Sequence, residues 1–131
     1  MNTRFRTTAA ALALTAALGL TLSACSTASK DVPERQDTAG KCIDGTVVVA
    51  KNKTDVTVAE CDTVIVNGEL NRTTLTGTVK NLVIEGDGNM VSGKQIDNLR
   101  IEGANADVSF TGKKPKTTDN GKNSIIGGVK Q

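Results

Sequence analysis

Residues 64–103, VIVNGELNRTTLTGTVKNLVIEGDGNMVSGKQIDNLRIEG, contain one short phrase written three times. Val64-Ile65-Val66-Asn67-Gly68, Leu82-Val83-Ile84-Glu85-Gly86 and Leu99-Arg100-Ile101-Glu102-Gly103 each carry an apolar-flanked triplet, a polar residue and a glycine. A further triplet, Val47-Val48-Val49, precedes them, so the starts at 47, 64, 82 and 99 are separated by 17, 18 and 17 residues. Helical periodicity is missing from these segments, while alternation and β-branched side chains favour short strands. Glycine at the end of each phrase supplies the backbone freedom expected at a sharp corner.

Two more stacks follow the same period. Val56-Thr57-Val58, residues 73–76, Met90-Val91-Ser92 and Val108-Ser109-Phe110 form the second, with a register at Thr73–Thr76 that stays open by one residue. Cys42, Cys61, Val79 and Ile96 form the third, in steps of 19, 18 and 17. Three stacks per repeat describe a coil with three short faces, each coil laid on the last at the strand spacing of about 4.8 Å. The fold class expected is therefore all-β, a small right-handed parallel β-solenoid of about 4–5 coils over residues 41–112, followed by a C-terminal loop or cap at 113–131. An antiparallel β-sandwich is the alternative, since it also has turn signals every ~8–12 residues. The shared period of three separate stacks favours the solenoid.

Alternation assigns the faces. Arg100 takes the middle of its triplet, so middle positions point outward, and Leu99 and Ile101 stack with Leu82 and Ile84, then with Val64 and Val66. Val48, Ile65 and Val83 then make an outward apolar stripe, a candidate interaction face for another protein, a second copy or the C-terminal segment. Residues 123–129, with Ile125 and Ile126, are expected either to cover that stripe or to cap the last coil.

The start of the chain reads as an address. Arg4 and Arg6 precede the apolar run TTAAALALTAALGLTL, the form of a secretory signal over residues 1–24. The run is shorter than the ~20 residues that span hydrocarbon, which argues against a transmembrane anchor. Leu22-Ser23-Ala24-Cys25 resembles the bacterial lipobox, in which the cysteine thiolate accepts lipid and becomes the first mature residue. Residues 25–40 then read as the lipidated cysteine and a flexible polar linker. The location this implies is the extracytoplasmic face of the cell membrane, reached through a lipid anchor. With Arg4 and Arg6 removed, 14 basic residues face 14 acidic ones, so the formal +2 belongs to the leader and says nothing of nucleic acid.

Of the three cysteines, Cys42 and Cys61 remain as an even pair in an exported chain, 19 residues or about one coil apart. A disulfide between them would pin the first coil and contribute roughly 3 kcal/mol in the chain-entropy account.

Chemistry is constrained by what is missing. No histidine is present, which removes Ser-His-Asp, Cys-His and His-metal sites. Phe5 and Phe110 are the only aromatic residues, so stacking platforms for nucleic acid are excluded and no such partner is expected. Glu85 and Glu102 hold equivalent places, with Asn67 above them, where a cation could sit; a solvated rim of turn residues is the simpler account. Gly86-Asp87-Gly88-Asn89 occurs once and does not build a calcium-binding repeat. Lys113, Lys114 and Lys116 surround Pro115 as a solvated loop, with anionic lipid or cell-wall polymer as the alternative ligand. No metal, cofactor or catalytic residue is expected, and coils this few and short-looped wall no enzyme cleft. The partners expected are the membrane and an envelope protein or cell-wall component.

The lipobox, polar tether, cysteine pair and V-x-V-x-G or L-x-I-x-G phrases together resemble the small actinobacterial lipoproteins of the Domain of Unknown Function 3060 family. The resemblance runs from about Lys41 to Gly112 and is carried by Cys42, Cys61 and the turns at Gly68, Gly86 and Gly103. It implies an envelope location and a coiled β fold, and supplies no activity and no site. Arg100 and the absence of an apolar residue after Gly112 depart from the pattern, and imply a coil that loses regularity toward its end.

Overall fold

The computed structural model describes residues 36–129. They form eight strands: β1 (Thr46–Val49), β2 (Asp55–Val58), β3 (Cys61–Val66), β4 (Arg72–Ile84), β5 (Met90–Ile101), β6 (Asp107–Phe110), β7 (Lys116–Asp119) and β8 (Ile125–Gly128). Every strand pairing is parallel, which excludes the antiparallel sandwich. One ladder runs β1-β3-β4-β5-β7 and another β2-β4-β5-β6-β8, because the long strands β4 and β5 turn a corner and serve both faces. The result is a β-solenoid of about five turns with the ~17-residue period.

The register stacks like on like. Val47, Val64, Leu82 and Leu99 form one inward row, and Val49, Val66, Ile84 and Ile101 another; all eight are fully buried or nearly so. Cys61, Val79 and Ile96 make the third stack, also buried. On the second face Val56 pairs with Thr73 and Val58 with Leu75, which settles the open register: Thr73 and Leu75 point inward, Thr74 and Thr76 outward. Each buried aliphatic side chain stabilises by ~1.5–3 kcal/mol relative to exposure, so this narrow column is the main source of cohesion.

The corners depart from the sequence expectation in their physics. Gly68, Gly86, Gly103 and Gly121 form a column, and none has a left-handed φ. A Cβ on Gly86 would lie 2.0 Å from the Gly68 carbonyl oxygen, and one on Gly103 would lie 2.2 Å from that of Gly86. These glycines are required for close backbone approach rather than for dihedral freedom. The left-handed conformation falls two residues later, at Lys53, Leu70, Gly88, Asn105 and Asn123, with φ between 54° and 67°.

Beside the glycines stands a column of amides that the sequence reading did not single out. Asn71 and Asn89 are each 1% exposed. Asn71 Oδ1 accepts the Thr54 N–H (2.9 Å) and hydroxyl (3.1 Å). Asn89 Oδ1 accepts the Asn71 N–H (2.9 Å) and its Nδ2 donates to the Gly68 carbonyl (2.8 Å). Each carboxamide oxygen thereby accepts a backbone N–H of the coil before it, part-buried at Thr54 and buried at Asn71.

Both ends of the domain extend beyond the expected limits. The ladders continue past Gly112 into β7 and β8, because backbone pairing needs no particular side chain and an end rung tolerates polar inward residues. Thr117 and Asp119, which continue the two apolar inward rows, are exposed. Ile125 and Ile126 add a rung to the second face and so do not cover the first. At the other end, the last residues of the expected linker are bonded to the first coil. Thr38 N–H donates to the Val48 carbonyl (2.9 Å), Val48 N–H donates to Thr38 Oγ1 (3.0 Å), and Ala50 N–H donates to Asp37 Oδ1 (3.2 Å).

Gly86→Ala is expected to destabilise the domain by at least ~2 kcal/mol in urea unfolding, because the added methyl meets a neighbouring carbonyl rather than a yielding side chain. Gly127→Ala, with nothing within 4 Å of its added Cβ, is the control and should stay within ~0.5 kcal/mol of the parent. Equal effects at the two positions would contradict the close-approach account.

Candidate functional site

On the first face the middle and preceding positions of each triplet project outward in two rows. One row is Thr46, Thr63, Asn81, Asn98 and Lys116; the other is Val48, Ile65, Val83, Arg100 and Thr118. The parallel register therefore converts residues 17 or 18 apart in sequence into neighbours at strand spacing.

The expected apolar stripe is only partly available. Ile65 and Val83 are half-buried on the outside of the sheet, as the alternation demands. Val48 is 8% exposed, because the segment carrying Asp37 and Thr38 lies across it. The stripe is thus reduced to two side chains, and what extends it toward the C-terminal end is polar.

There the face is hollowed into a shallow, open groove of about 550 Å³. Val83 lies on its floor, Asn81 and Asn98 along one side, and Arg100 and Lys116 toward the last rungs. Asn98 Nδ2 donates to Asn81 Oδ1 (3.1 Å) and to the Lys80 carbonyl (3.1 Å), which fixes the amide ladder. Lys116 makes no ion pair among the described residues. The groove accordingly offers amides, hydroxyls from Thr63 and Thr118, two cations and a small apolar floor.

The charges at its margin are arranged in short pairs. Arg100 Nε donates to Glu102 Oε1, and Asn120 Nδ2 donates to the same oxygen (3.0 Å). The hydrogen bond from Arg100 holds the Glu102 carboxyl below its ordinary value, and Arg100 is raised by the same contact. Lys80 Nζ meets Asp62 Oδ1 at 2.8 Å, which raises Lys80 first through that hydrogen bond and then through the charge.

Glu85 and Glu102 do occupy one column, between Asn67 and Asn120, as their backbone bonds to successive coils show. Glu102 is committed to Arg100 and Asn120. Asp87 spends Oδ1 on the Ala104 N–H (2.7 Å), and Asn89 is the buried corner amide, so Gly86-Asp87-Gly88-Asn89 serves the turn. Among the described residues no three acidic or cysteine side chains converge on a point that could hold a metal ion. Lys113 and Lys114 are exposed, with the Lys113 N–H bonded to Gln95 Oε1 (3.3 Å). Cys42 and Cys61 form a disulfide with Cα atoms 5.7 Å apart, which joins the first loop to the third stack. Leu22, Ser23, Ala24 and Cys25 lie outside the described residues.

Sequence reading missed a smaller cleft of about 290 Å³ on the neighbouring corner, where Leu70 and Met90 stand 56% and 45% exposed beside Arg72. It also missed the Asn71 and Asn89 column, whose signal is the recurrence G-x-x-N at Gly68-Glu69-Leu70-Asn71 and Gly86-Asp87-Gly88-Asn89.

Residues 66–123 match the model of a family described as a protein of unknown function (DUF3060), which supports the family resemblance read from the repeats. That span covers the end of β3 through β7 and includes most of the groove. No curated protein and no solved structure matches the chain.

The Glu102 contact has a signed consequence for pH. A carboxyl lowered in the folded state contributes stability above its ordinary value of 4.5, and that contribution is lost as pH falls through the folded value. Glu102→Gln should therefore melt slightly below the parent near neutrality, with the two melting temperatures converging in acid. The effect is small because the pair is solvent-screened. A gap that stays constant on acidification would contradict the assignment.

Proposed function

We propose that the chain is a lipoprotein of the actinobacterial envelope type, anchored at the extracytoplasmic face of the cell membrane through acylated Cys25, whose solenoid is a non-enzymatic interaction module. The groove on the first face carries this reading. Flat, parallel-stacked outward rows place Val83 beside hydrogen-bonding amides and the cations Arg100 and Lys116, a combination suited to grip an extended partner. The absence of histidine and the pairing of Glu102 with Arg100 support a binding role over general acid–base catalysis. The apolar run before Leu22-Ser23-Ala24-Cys25 supports the anchor, and the polar residues 26–35 would act as its spacer.

An envelope protein is the partner this reading favours. A second reading rests on a specific observation: Lys116 lacks an ion-pair partner among the described residues and lies with Arg100 in one groove, which also suits the phosphate or carboxylate groups of a wall polymer.

Quantitative crosslinking in intact envelopes tests both, with the parent chain, Val83→Lys, and Arg100→Glu/Lys116→Glu compared. Docking of a protein predicts that Val83→Lys reduces the crosslinked species about tenfold, whether or not wall polymer has been digested away. Capture that disappears with the polymer and with Arg100→Glu/Lys116→Glu, but survives Val83→Lys, establishes the polymer reading instead. Unchanged capture in both variants would sink the groove as the site. Cys25→Ser should release the chain from the membrane fraction; retention would contradict the anchor.

A further inference from the structure

We propose that the solenoid stacks head to tail on a second copy of this chain, and that residues 37–40 form a strap that restrains this stacking. The two ends of the coil are complementary, and this surface is distinct from the groove on the first face.

Among the described residues, β7 pairs only with β5 and β8 only with β6, so one complete rung presents unmatched backbone donors and acceptors. Ile125 and Val129 are 65% and 54% exposed on that rung, and Ile126 is half-buried. An inward charge would block addition of another strand, yet Asp119 is turned to its own loop: Oδ1 accepts the Gly121 N–H (2.9 Å) and the Ser124 hydroxyl (3.2 Å). The edge is therefore competent to pair.

The opposite end has the complementary rung, β1 and β2, and there the strap lies in the way. Thr38 imitates a partner strand on β1, donating its N–H to the Val48 carbonyl while its hydroxyl accepts the Val48 N–H. Asp37, itself largely covered, accepts the Ala50 N–H and meets the exposed Lys51 ammonium across 3.5 Å. Gly40 sits so close to β2 that a Cβ would lie 2.9 Å from the Thr57 carbonyl oxygen. These are few contacts, and only partly buried ones, for a segment that displaces a whole rung.

Charge selects the orientation. Residues 36–62 carry five acidic and three basic side chains, whereas residues 90–129 carry six basic and four acidic ones. Head-to-tail stacking brings unlike ends together, while tail-to-tail stacking sets Lys116 and Lys122 against their own copies. Continuing the ladders in register places Lys116 over Thr46 of the next copy and Ile126 over Val56, so an apolar inward row continues across the junction on the second face, while Thr117 and Asp119 meet Val47 and Val49 on the first. Such an interface does not close on itself and adds copies in one direction.

The full chain, purified in detergent, is followed by sedimentation over a range of concentrations. Thr38→Pro removes both the N–H donor and the hydroxyl acceptor of the strap, and should associate at about tenfold lower concentration than the parent. The association should weaken with added salt and disappear in Thr38→Pro/Ile126→Lys. In the Thr38→Pro background, Thr46→Cys chains should form a mixed disulfide with Lys116→Cys chains, and Lys116→Cys chains should not crosslink to each other. If Thr38→Pro loses its β-sheet spectrum, Asp37→Ala carries the same expectation. A strap variant that stays monomeric throughout, a dominant Lys116→Cys self-crosslink, or association indifferent to Ile126→Lys would each overturn the proposal.

Discussion

Everything in this fold depends on how closely one coil can lie on the next. At the Gly86 corner the chain passes so near the Gly68 carbonyl that a methyl group would lie 2.0 Å away, and the same approach recurs at Gly68, Gly103 and Gly121. That contact sets the rise per turn and permits the parallel ladders to close in register. Given the rise, identical positions stack: Val66 meets Ile84, and Ile84 meets Ile101, in a column with no exposure. Dispersion and apolar burial then hold what the glycines allow. The buried Asn71 and Asn89 amides serve the same geometry, since their oxygens reach N–H groups only at that spacing.

The stacked register also explains how so plain a composition produces a surface with chemistry. Residues 17 or 18 apart become neighbours, so each outward position is a row rather than a point. Across coils Asn81 and Asn98 lock each other, Asn120 reaches Glu102, and Lys80 engages Asp62, while Arg100 engages Glu102 within its own coil. Function on such a scaffold is written in the outward rows, while the inward rows and corners are occupied with architecture.

Much of the architecture was legible because apolar triplets and glycines repeat at a fixed period, and side-chain alternation then assigns the faces of Val64, Leu82 and Leu99 without further information. The Cys42–Cys61 bridge was legible for the same reason, as one coil separates the pair. Thr73–Thr76 was not, because three threonines and a leucine fit either inward pattern until the backbone register is known. β7 escaped notice because the last rung places Thr117 and Asp119 where an interior rung would need apolar residues, whereas Ile125 and Ile126 were legible as a cap on the last coil and form β8 there. Val48 was expected on the surface and is covered because Asp37 and Thr38, polar and unremarkable in sequence, contribute hydrogen bonds rather than hydrophobic pattern. The groove was legible only as a stripe: Val83 was expected there, but its pairing with Asn81, Asn98, Arg100 and Lys116 follows from register alone.

The measurement that bears most directly on this account is a set of methyl–methyl contacts by nuclear magnetic resonance on selectively labelled chain. Parallel in-register stacking predicts contacts linking Val64 to Leu82 and Leu82 to Leu99, and separately linking Val66 to Ile84 and Ile84 to Ile101. Crossed contacts, Val64 with Ile84 and Val66 with Leu82, would signify antiparallel pairing and contradict the stacked coil on which the glycine column, the amide ladder and the groove all rest.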